Sequence, residues 1–354
     1  MDANPQVTAN SGNRVIYLDL LRIISAFAVV MLHVSAQHWG DTFFSTEWMI
    51  MNFYDSCVRW CVPVFVMISG ALFLDTSREL NIKRLYTKNL MRILQVFILW
   101  SIIYTVVNIK LYPNVKSFIV SVVSGPFHFW FLKMLLGLYI AAPILKAIVS
   151  NKKTEICFIC TAVITAFILP LFFIVVGWLN TEVRHLLENW YNTMNLKVAL
   201  GYTGYFVLGH FFNTYTLDVK VKKSIYIGGC LGIICAIILT HFLSVYTGGA
   251  SEMFYEYLSP FTAIEAMAIF LFVQQRSSEV SIKYHPYIIH FAKMSFGIYL
   301  VHILSKWLFS ALGIDSLTFN PIFSIPCLSI IIFIVSYLIT RILYNIPYLN
   351  KLVM

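Results

Sequence analysis

Charged side chains are scarce in this chain of 354 residues. Asp, Glu, Lys and Arg together make up 12% of it, about half of the share that is typical of soluble globular domains. Acidic residues are the rarer sign, with 16 Asp and Glu against 25 Lys and Arg. Hydrophobic residues reach 59% of the chain. This composition excludes an ordinary soluble domain and favours a membrane protein.

The signatures of several common chemistries are also missing. The chain has no glycine-rich phosphate loop, no His-Glu-x-x-His pair and no Gly-x-Ser-x-Gly elbow. Its 7 cysteines form no framework of pairs, and Cys157-x-x-Cys160 stands without a second pair. We interpret that spacing as ordinary helix packing. No cluster of carboxylates indicates a metal site, so none is predicted.

Apolar stretches of about 20 residues recur along the chain, which is the length needed to cross the hydrocarbon core of a bilayer. They predict an all-α, polytopic membrane protein with about ten transmembrane helices. We expect one transmembrane domain over 14–344, between a mobile N-terminal segment 1–13 and a short tail 345–354. The segment 179–197 could hold a short interfacial helix. The predicted spans are 15–36, 54–74, 90–110, 128–148, 155–178, 198–213, 224–246, 257–275, 287–309 and 322–344.

The distribution of Lys and Arg among the loops predicts the orientation. With a cytoplasmic N-terminus, the outer loops hold only Lys110, Lys116, Arg184 and Lys197. The cytoplasmic loops hold Arg78, Lys83, Arg84, Lys88, Arg92, Lys146, Lys152, Lys153, Lys220, Lys222, Lys223, Arg276 and Lys283. This asymmetry follows the positive-inside rule and places both termini in the cytoplasm. It also accounts for the net charge of +9, so no nucleic-acid partner is indicated.

Arg22 and His33 are the most informative residues, because both lie inside the first apolar span. Eleven positions at ~100° each return His33 to within ~20° of Arg22, about 16 Å further along the helix axis. Asp19 lies one turn before Arg22, near the same stripe. Ionisable groups in a span are costly and indicate function by default, so these three are candidate catalytic residues. The alternative is that Asp19 pairs with Arg22 while His33 satisfies a polar group in the core.

Two further spans carry candidate substrate-binding residues, of which Arg59 and His128 are expected near the outer side. Arg59 and Ser69 flank Pro63 in the second span, and His128 and Trp130 open the fourth. Arg59 could instead extend to the interface, and the aromatic belt is the plain explanation for the fourth-span residues.

The eighth and ninth spans add Glu265, Tyr299 and His302 to the candidate substrate-binding residues. A carboxylate in mid-span needs a partner or water. Lys293, Arg22 and Arg59 are all possible partners of Glu265, and the sequence does not choose among them.

Several separated motifs, in order, resemble acyltransferase family 3, the ten-span bacterial membrane acyltransferases. Arg22 and His33 are similar to its Arg/Lys-x10-His element, and Arg59 to Gly70 to its Val-Pro-x-Phe-x-x-x-Ser-Gly element. The run Lys88-Asn89-Leu90-Met91-Arg92 resembles an Arg-x-x-Arg element in which Asn89 replaces the first arginine. The later matches are Phe127 to Leu132 with Gly137, Tyr139 and Pro143, then Gly204 to Gly209 and Ser295 to His302.

This resemblance, which covers about 14–344, implies transfer of an acyl group, usually acetyl, from acetyl-CoA in the cytoplasm to a hydroxyl of a carbohydrate. The acceptor would be a cell-surface or periplasmic glycan that can be lipid-linked, and the enzyme would lie in the bacterial cytoplasmic membrane. We expect the chain to be most similar to stand-alone members such as the enterobacterial common antigen O-acetyltransferase.

The residues suggest a route for this chemistry. Arg84, Lys88 and Arg92 would bind the phosphates of acyl-CoA, and Arg22 would hold the donor deeper in the bundle. His33 would deprotonate the sugar hydroxyl or take the acyl group transiently. The main rival is a proton-coupled transporter or flippase for a polar solute or glycan. A structural or sensory membrane protein is a third interpretation, which leaves the ordered motifs unexplained.

Overall fold

The computed structural model describes residues 14–196, 199, 201–347 and 349–352, so the predicted mobile segment 1–13 lies outside the described residues. Over these ranges the chain is helical and contains no β-strand. The principal helices are α1 Ile16–Ser35, α2 Thr46–Val58, α3 Cys61–Phe73, α4 Met91–Val107, α5 Val115–Ser124, α6 Trp130–Val149, α7 Lys152–Ala162, α8 Leu169–Leu179, α9 Thr181–Thr193, α10 Thr203–Thr214, α11 Val219–Thr247, α12 Pro260–Arg276, α13 His285–Ala311 and α14 Pro321–Asn345.

Nine helical stretches of the described chain are long and apolar enough to cross a membrane. The predicted all-α polytopic class is therefore confirmed. The predicted sixth span, 198–213, is the exception, because the helix found there is α10, with 12 residues. A helix of that length rises only about 18 Å, which is well short of the ~30 Å hydrocarbon core. The nine stretches are Ile16–His38, Thr46–Phe73, Ile82–Val107, Phe127–Val149, Lys152–Leu179, Val219–Thr247, Met253–Glu279, Ile282–Ala311 and Pro321–Asn345.

α1 forms the centre of the bundle, in contact with α2, α3, α13 and α14. Of its most apolar window 61% is buried inside the protein, against 28% for α11. A helix that is surrounded by protein can carry polar side chains away from lipid. This position explains how α1 accommodates Asp19, Arg22 and His33.

The second apolar stretch is broken in the middle rather than continuous. α2 ends at Val58 and α3 begins at Cys61, with Arg59 and Trp60 between them. Pro63 is the physical reason, because it has no N–H to donate to the carbonyl oxygen of Arg59 four residues earlier. Arg59 and Trp60 keep right-handed helical backbone angles, so Arg59 lies at the junction of two helical segments within the stretch Thr46–Phe73.

α10 is short but almost wholly buried, and glycines allow its backbone to touch that of α3. A Cβ added at Gly209 would lie 1.9 Å from the carbonyl oxygen of Met67, and one at Gly70 would lie 1.7 Å from the carbonyl oxygen of Phe206. Only a residue without a side chain fits at such a distance. This small-residue contact is typical of helices that associate within membranes.

Polar bonds add to this contact along the second half of α10. The imidazole of His210 lies 2.7 Å from the carboxylate of Glu155 on α7, and both side chains are buried. Tyr17 of α1 donates a hydrogen bond to Asn213, and the amide of Gln274 donates to the carbonyl oxygen of Phe212 at 2.9 Å. α10 is thus held through specific contacts to α3, α7, α1 and α12.

We expect Gly209→Ala to lower stability by about 2–3 kcal/mol, because backbone atoms of α3 stand where the new methyl group must go. Thermal unfolding of the detergent-solubilised protein, followed by tryptophan fluorescence, measures the change. Gly137→Ala on α6 is the matched control, since nothing lies within 4 Å of a Cβ at Gly137. Equal melting temperatures for the two variants would contradict the close contact.

Candidate functional site

A cavity of about 150 Å³ lies in the middle of the bundle, between α1, α3, α6 and α13. Most of its wall is aliphatic or aromatic. Its lining residues are Arg22, Val29, Leu32, His33, Val62, Phe65, Ser69, His128, Trp130, Phe131, Leu135, Tyr257, Ser295, Phe296 and Tyr299. The cavity therefore brings together residues that are far apart in the sequence, and many of them were predicted site residues.

Arg22 and His33 both face this cavity, with Val29 and Leu32 between them along α1. The intervals of seven and four residues from Arg22 through Val29 to His33 follow the helical repeat. The cavity therefore runs along one side of α1 for about 16 Å. A guanidinium group lies at one end of the cavity and an imidazole lies at the other.

Asp19 lies beyond the Arg22 end of the cavity and does not line it. Its carboxylate accepts hydrogen bonds from Arg14 Nε at 2.5 Å and from Arg22 Nη1 at 3.2 Å. About 21 Å of helix separates Asp19 from His33, so it cannot orient that imidazole directly. The bond to Arg22 instead fixes where that guanidinium lies.

The other end of the cavity is a cluster of three histidines from three separate parts of the chain. The ring of His33 stacks on that of His302, with centroids 5.1 Å apart, and meets the ring of His128 at 6.3 Å. The rings of His128 and His302 are 5.3 Å apart. Among the described residues, no carboxylate forms an ion pair with any of the three. Within the described structure, the cluster therefore differs from a carboxylate–histidine pair.

The hydrogen bonds of the cluster indicate which nitrogens are free. His302 Nδ1 lies 2.6 Å from the carbonyl oxygen of Tyr299. A carbonyl oxygen only accepts, so Nδ1 donates and Nε2 is the accepting nitrogen. That Nε2 is buried without a hydrogen-bond partner in the described structure, as are both ring nitrogens of His128. Buried polar atoms of this kind are unusual in a plain packing role.

Lys306 is a residue of this site that the sequence reasoning missed. Its ammonium group donates to the backbone carbonyl oxygen of His33 at 3.0 Å, so a half-buried cation lies at the His33 end of α1. It follows His302 by one helical turn. The signal in the sequence is its position inside the predicted span 287–309, because an ionisable residue within a span indicates function.

Arg59 is close to the cavity but does not line it. Its Nη2 donates to Asp55 at 2.6 Å and to Glu252 at 3.0 Å, and its guanidinium lies 4.6 Å from the ring centre of Tyr255. Only 7% of the side chain is exposed, so the alternative in which Arg59 reaches the interface does not hold. Asp55 and Glu252, which the sequence reasoning did not single out, satisfy the charge of Arg59.

A family model described as an acyltransferase domain matches residues 15–341 of this sequence. The chain belongs to acyltransferase family 3. No curated protein and no solved structure matches it. The match covers all of the helices that build the cavity, so the cavity and its histidines belong to a membrane acyltransferase.

The remaining predicted site residues of the acyltransferase lie apart from its histidine cluster. Arg84 and Lys88 are exposed, beside a wide helical turn at Leu85–Leu90 that leads into α4. Arg92 lies in the first turn of α4. Its side chain is also exposed.

Glu265 lies outside the cavity of the acyltransferase. It is buried, and none of Lys293, Arg22 and Arg59 forms an ion pair with it in the described part of the chain. One of its carboxylate oxygens is buried without a hydrogen-bond partner there. The expected partner of Glu265 is therefore not among the three residues proposed from the sequence.

Two polar side chains of the cavity are already engaged with backbone groups. The hydroxyl of Ser69 donates to the carbonyl oxygen of Phe65 at 3.0 Å. The hydroxyl of Tyr299 donates to the carbonyl oxygen of His128 at 2.8 Å. Tyr299 thus ties α13 to the turn that carries His128, and it fixes two histidines of the cluster relative to each other.

Proposed function

We propose that this membrane acyltransferase is an O-acetyltransferase. It would move an acetyl group from acetyl-CoA in the cytoplasm to a hydroxyl of a cell-surface or periplasmic carbohydrate, at the bacterial cytoplasmic membrane. The observation that carries the proposal is the cavity that runs from Arg22 to the histidine cluster. It offers a narrow, mostly apolar passage with a cation at one end and acid–base groups at the other.

The donor would enter from the end of the bundle that is rich in Lys and Arg. Arg84, Lys88 and Arg92 supply charge for the phosphates of coenzyme A, and arginine suits phosphate because its planar group donates two parallel hydrogen bonds. The thioester arm, which is thin and only weakly polar, would pass Arg22 into the cavity. Asp19 would hold Arg22 in place at the entrance.

His33 would act as the general base. The acceptor hydroxyl gives its proton to the imidazole while its oxygen attacks the thioester carbonyl. A C–O bond forms, the C–S bond breaks, and the proton on His33 passes to the leaving thiolate. Because no hydrogen bond from another described residue occupies the His33 ring, it is free to accept the proton.

The charge that develops on the thioester oxygen needs a donor, and His128 is the best-placed group. A neutral imidazole carries one N–H, and neither nitrogen of His128 has a partner in the described chain. Ser69 and Tyr299 cannot serve without breaking their bonds to carbonyl oxygens. His302 and Lys306 would hold the geometry of His33, and Trp130 offers a flat face for a sugar ring.

The proposal is tested with radiolabelled acetyl-CoA and inverted membrane vesicles that contain the protein, with the glycans of the host as acceptor. We expect label in the glycan fraction only where the protein is present, and release of that label by mild alkali because it is held as an ester. Membranes without the protein are the control. Label that resists alkali would contradict O-acylation, and a failure to label any glycan would contradict the carbohydrate acceptor.

A further inference from the structure

A second and larger hollow, which we call the outer groove, lies between α8, α9 and the segment 250–260. Its volume is about 820 Å³, which is within the range of roughly 300–1,000 Å³ for sites that bind small organic ligands. One wall is apolar and is made by Ala166, Phe167, Pro170, Leu171, Phe173 and Ile174. The other wall carries polar groups, among them Arg184, Glu188, Tyr191, Ser251, Glu252 and Glu256.

The outer groove and the catalytic cavity share a boundary. Tyr257 lines the cavity, whereas its neighbours Glu256 and Leu258 line the groove. The ring of Trp130 lies 5.2 Å from that of Tyr257 and 5.7 Å from that of Tyr202. Trp130 also lines the cavity, and Tyr202 follows Gly201 of the groove, so the three rings lie near the boundary of the two spaces. A ligand held at this end of the groove lies next to the cavity.

Among the described residues that line the outer groove, one carboxylate has no partner of opposite charge. Glu188 is paired with Arg184 at 2.7 Å, and Glu252 with Arg59 at 3.0 Å. Glu256 is exposed, and its carboxylate forms no ion pair or hydrogen bond with any other described residue. An ionised carboxylate is purely an acceptor, so it binds hydroxyl donors and repels anions.

Aromatic rings lie close to Glu256 at the boundary. Tyr257 follows Glu256 directly in the chain, and its ring packs against that of Trp130 at 5.2 Å. An acceptor carboxylate and aromatic faces thus meet where the groove adjoins the cavity, and these are groups that a polyhydroxylated ring can bind.

We propose that the outer groove binds the acceptor as an uncharged sugar on an alkyl chain, with the sugar hydroxyls donating to Glu256 and the chain lying on the apolar wall. This inference rests on the proposed function and adds the acceptor class to it. Glu256 then acts as a specificity residue, because a carboxylate or phosphate on the same ring would be repelled. The apolar wall explains why a free, chain-less sugar would bind more weakly.

The test uses matched glycosides as probes: dodecyl glucoside, dodecyl glucuronide and methyl glucoside. Their binding to protein in lipid nanodiscs is measured without acyl donor, and empty nanodiscs give the background. We expect the wild type to favour dodecyl glucoside over dodecyl glucuronide by about tenfold. Glu256→Gln should narrow that ratio, and Glu256→Lys should reverse it. Methyl glucoside should bind more weakly than dodecyl glucoside to every variant.

Glu182→Lys is the matched control. Glu182 lies on α9 at an exposed position that does not line the groove, so this variant makes the same charge change as Glu256→Lys outside the groove. It should leave the ratio unchanged. A ratio that Glu256→Lys does not alter, or that Glu182→Lys alters equally, would overturn the assignment. So would a wild type that binds none of the glycosides, or one that binds methyl glucoside as tightly as dodecyl glucoside.

The same samples with acetyl-CoA added separate this inference from the proposed function. Binding that depends on Glu256, without acetylation of any glycan, would keep the groove and contradict the proposed function. Acetylation of glycans, together with binding that does not depend on Glu256, would keep the proposed function and contradict the assignment of the groove.

Discussion

His33→Ala is expected to lower the rate of acyl transfer by about 10²–10⁴-fold, the usual contribution of a positioned general base. The loss follows from the geometry, because His33 lies at the end of the cavity opposite Arg22 and beside two other imidazoles. His302 cannot easily replace it, since His302 does not line the cavity and its Nδ1 is held by a carbonyl oxygen. The measurement is the initial rate of acetyl transfer from radiolabelled acetyl-CoA, at equal amounts of membrane protein.

His285→Ala provides the matched control for this variant. His285 is the first residue of α13 and lies far along that helix from His302, so its loss removes an imidazole without touching the cavity. We expect near-normal transfer from it. Size-exclusion profiles of both variants in detergent show whether each folds. A folded His33→Ala protein with a rate close to that of wild type would refute the general-base role.

Arg59→Leu is expected to destabilise the protein by about 3–5 kcal/mol. Removing one partner of a buried ion pair leaves the other charge without compensation, which costs far more than the pair contributes. Here the stranded group is Asp55, whose side chain is fully buried. Glu252 would lose its partner as well, but it remains partly exposed to water. Thermal unfolding in detergent measures the effect.

Two further variants make this prediction specific. Arg276→Gln breaks a pair of similar length, 2.7 Å against 2.6 Å, whose partners are both mostly exposed, and such pairs contribute only about 0–1 kcal/mol. The double variant Asp55→Asn with Arg59→Leu removes the stranded charge and should recover part of the loss. If Arg59→Leu and Arg276→Gln were equally stable, Arg59 could not be the buried ion-pair partner that its contacts indicate.

The fold class and the stripe on α1 were accessible from the sequence because both depend on local regularities. Apolar stretches of sufficient length define the spans, and helical periodicity places Arg22 and His33 on one face without knowledge of any neighbour. The family resemblance drawn from the ordered motifs is likewise supported by the family match. The roles proposed for individual residues stay predictions.

The partners of the buried charges could not be predicted in the same way. Asp55 lies one turn before Arg59, but the sequence does not show that Arg59 also faces Glu252 of a distant loop and not Glu265. Glu252 and Lys306 reach their partners across helices that are far apart in the sequence. The predicted span at 198–213 was wrong for a related reason. Hydropathy counts apolar residues and cannot show that a helix such as α10 is enclosed by protein instead of lipid.

The short α10 has a consequence for how the chain is assembled during synthesis. A helix of about 18 Å that carries a buried histidine is too short and too polar to insert well into a bilayer by itself. However, Gly70 of α3, Glu155 of α7 and Tyr17 of α1 all precede α10 in the chain. When α10 leaves the ribosome, these partners are already made and can receive it. The order of the sequence therefore gives this helix a protein environment before it must face the lipid.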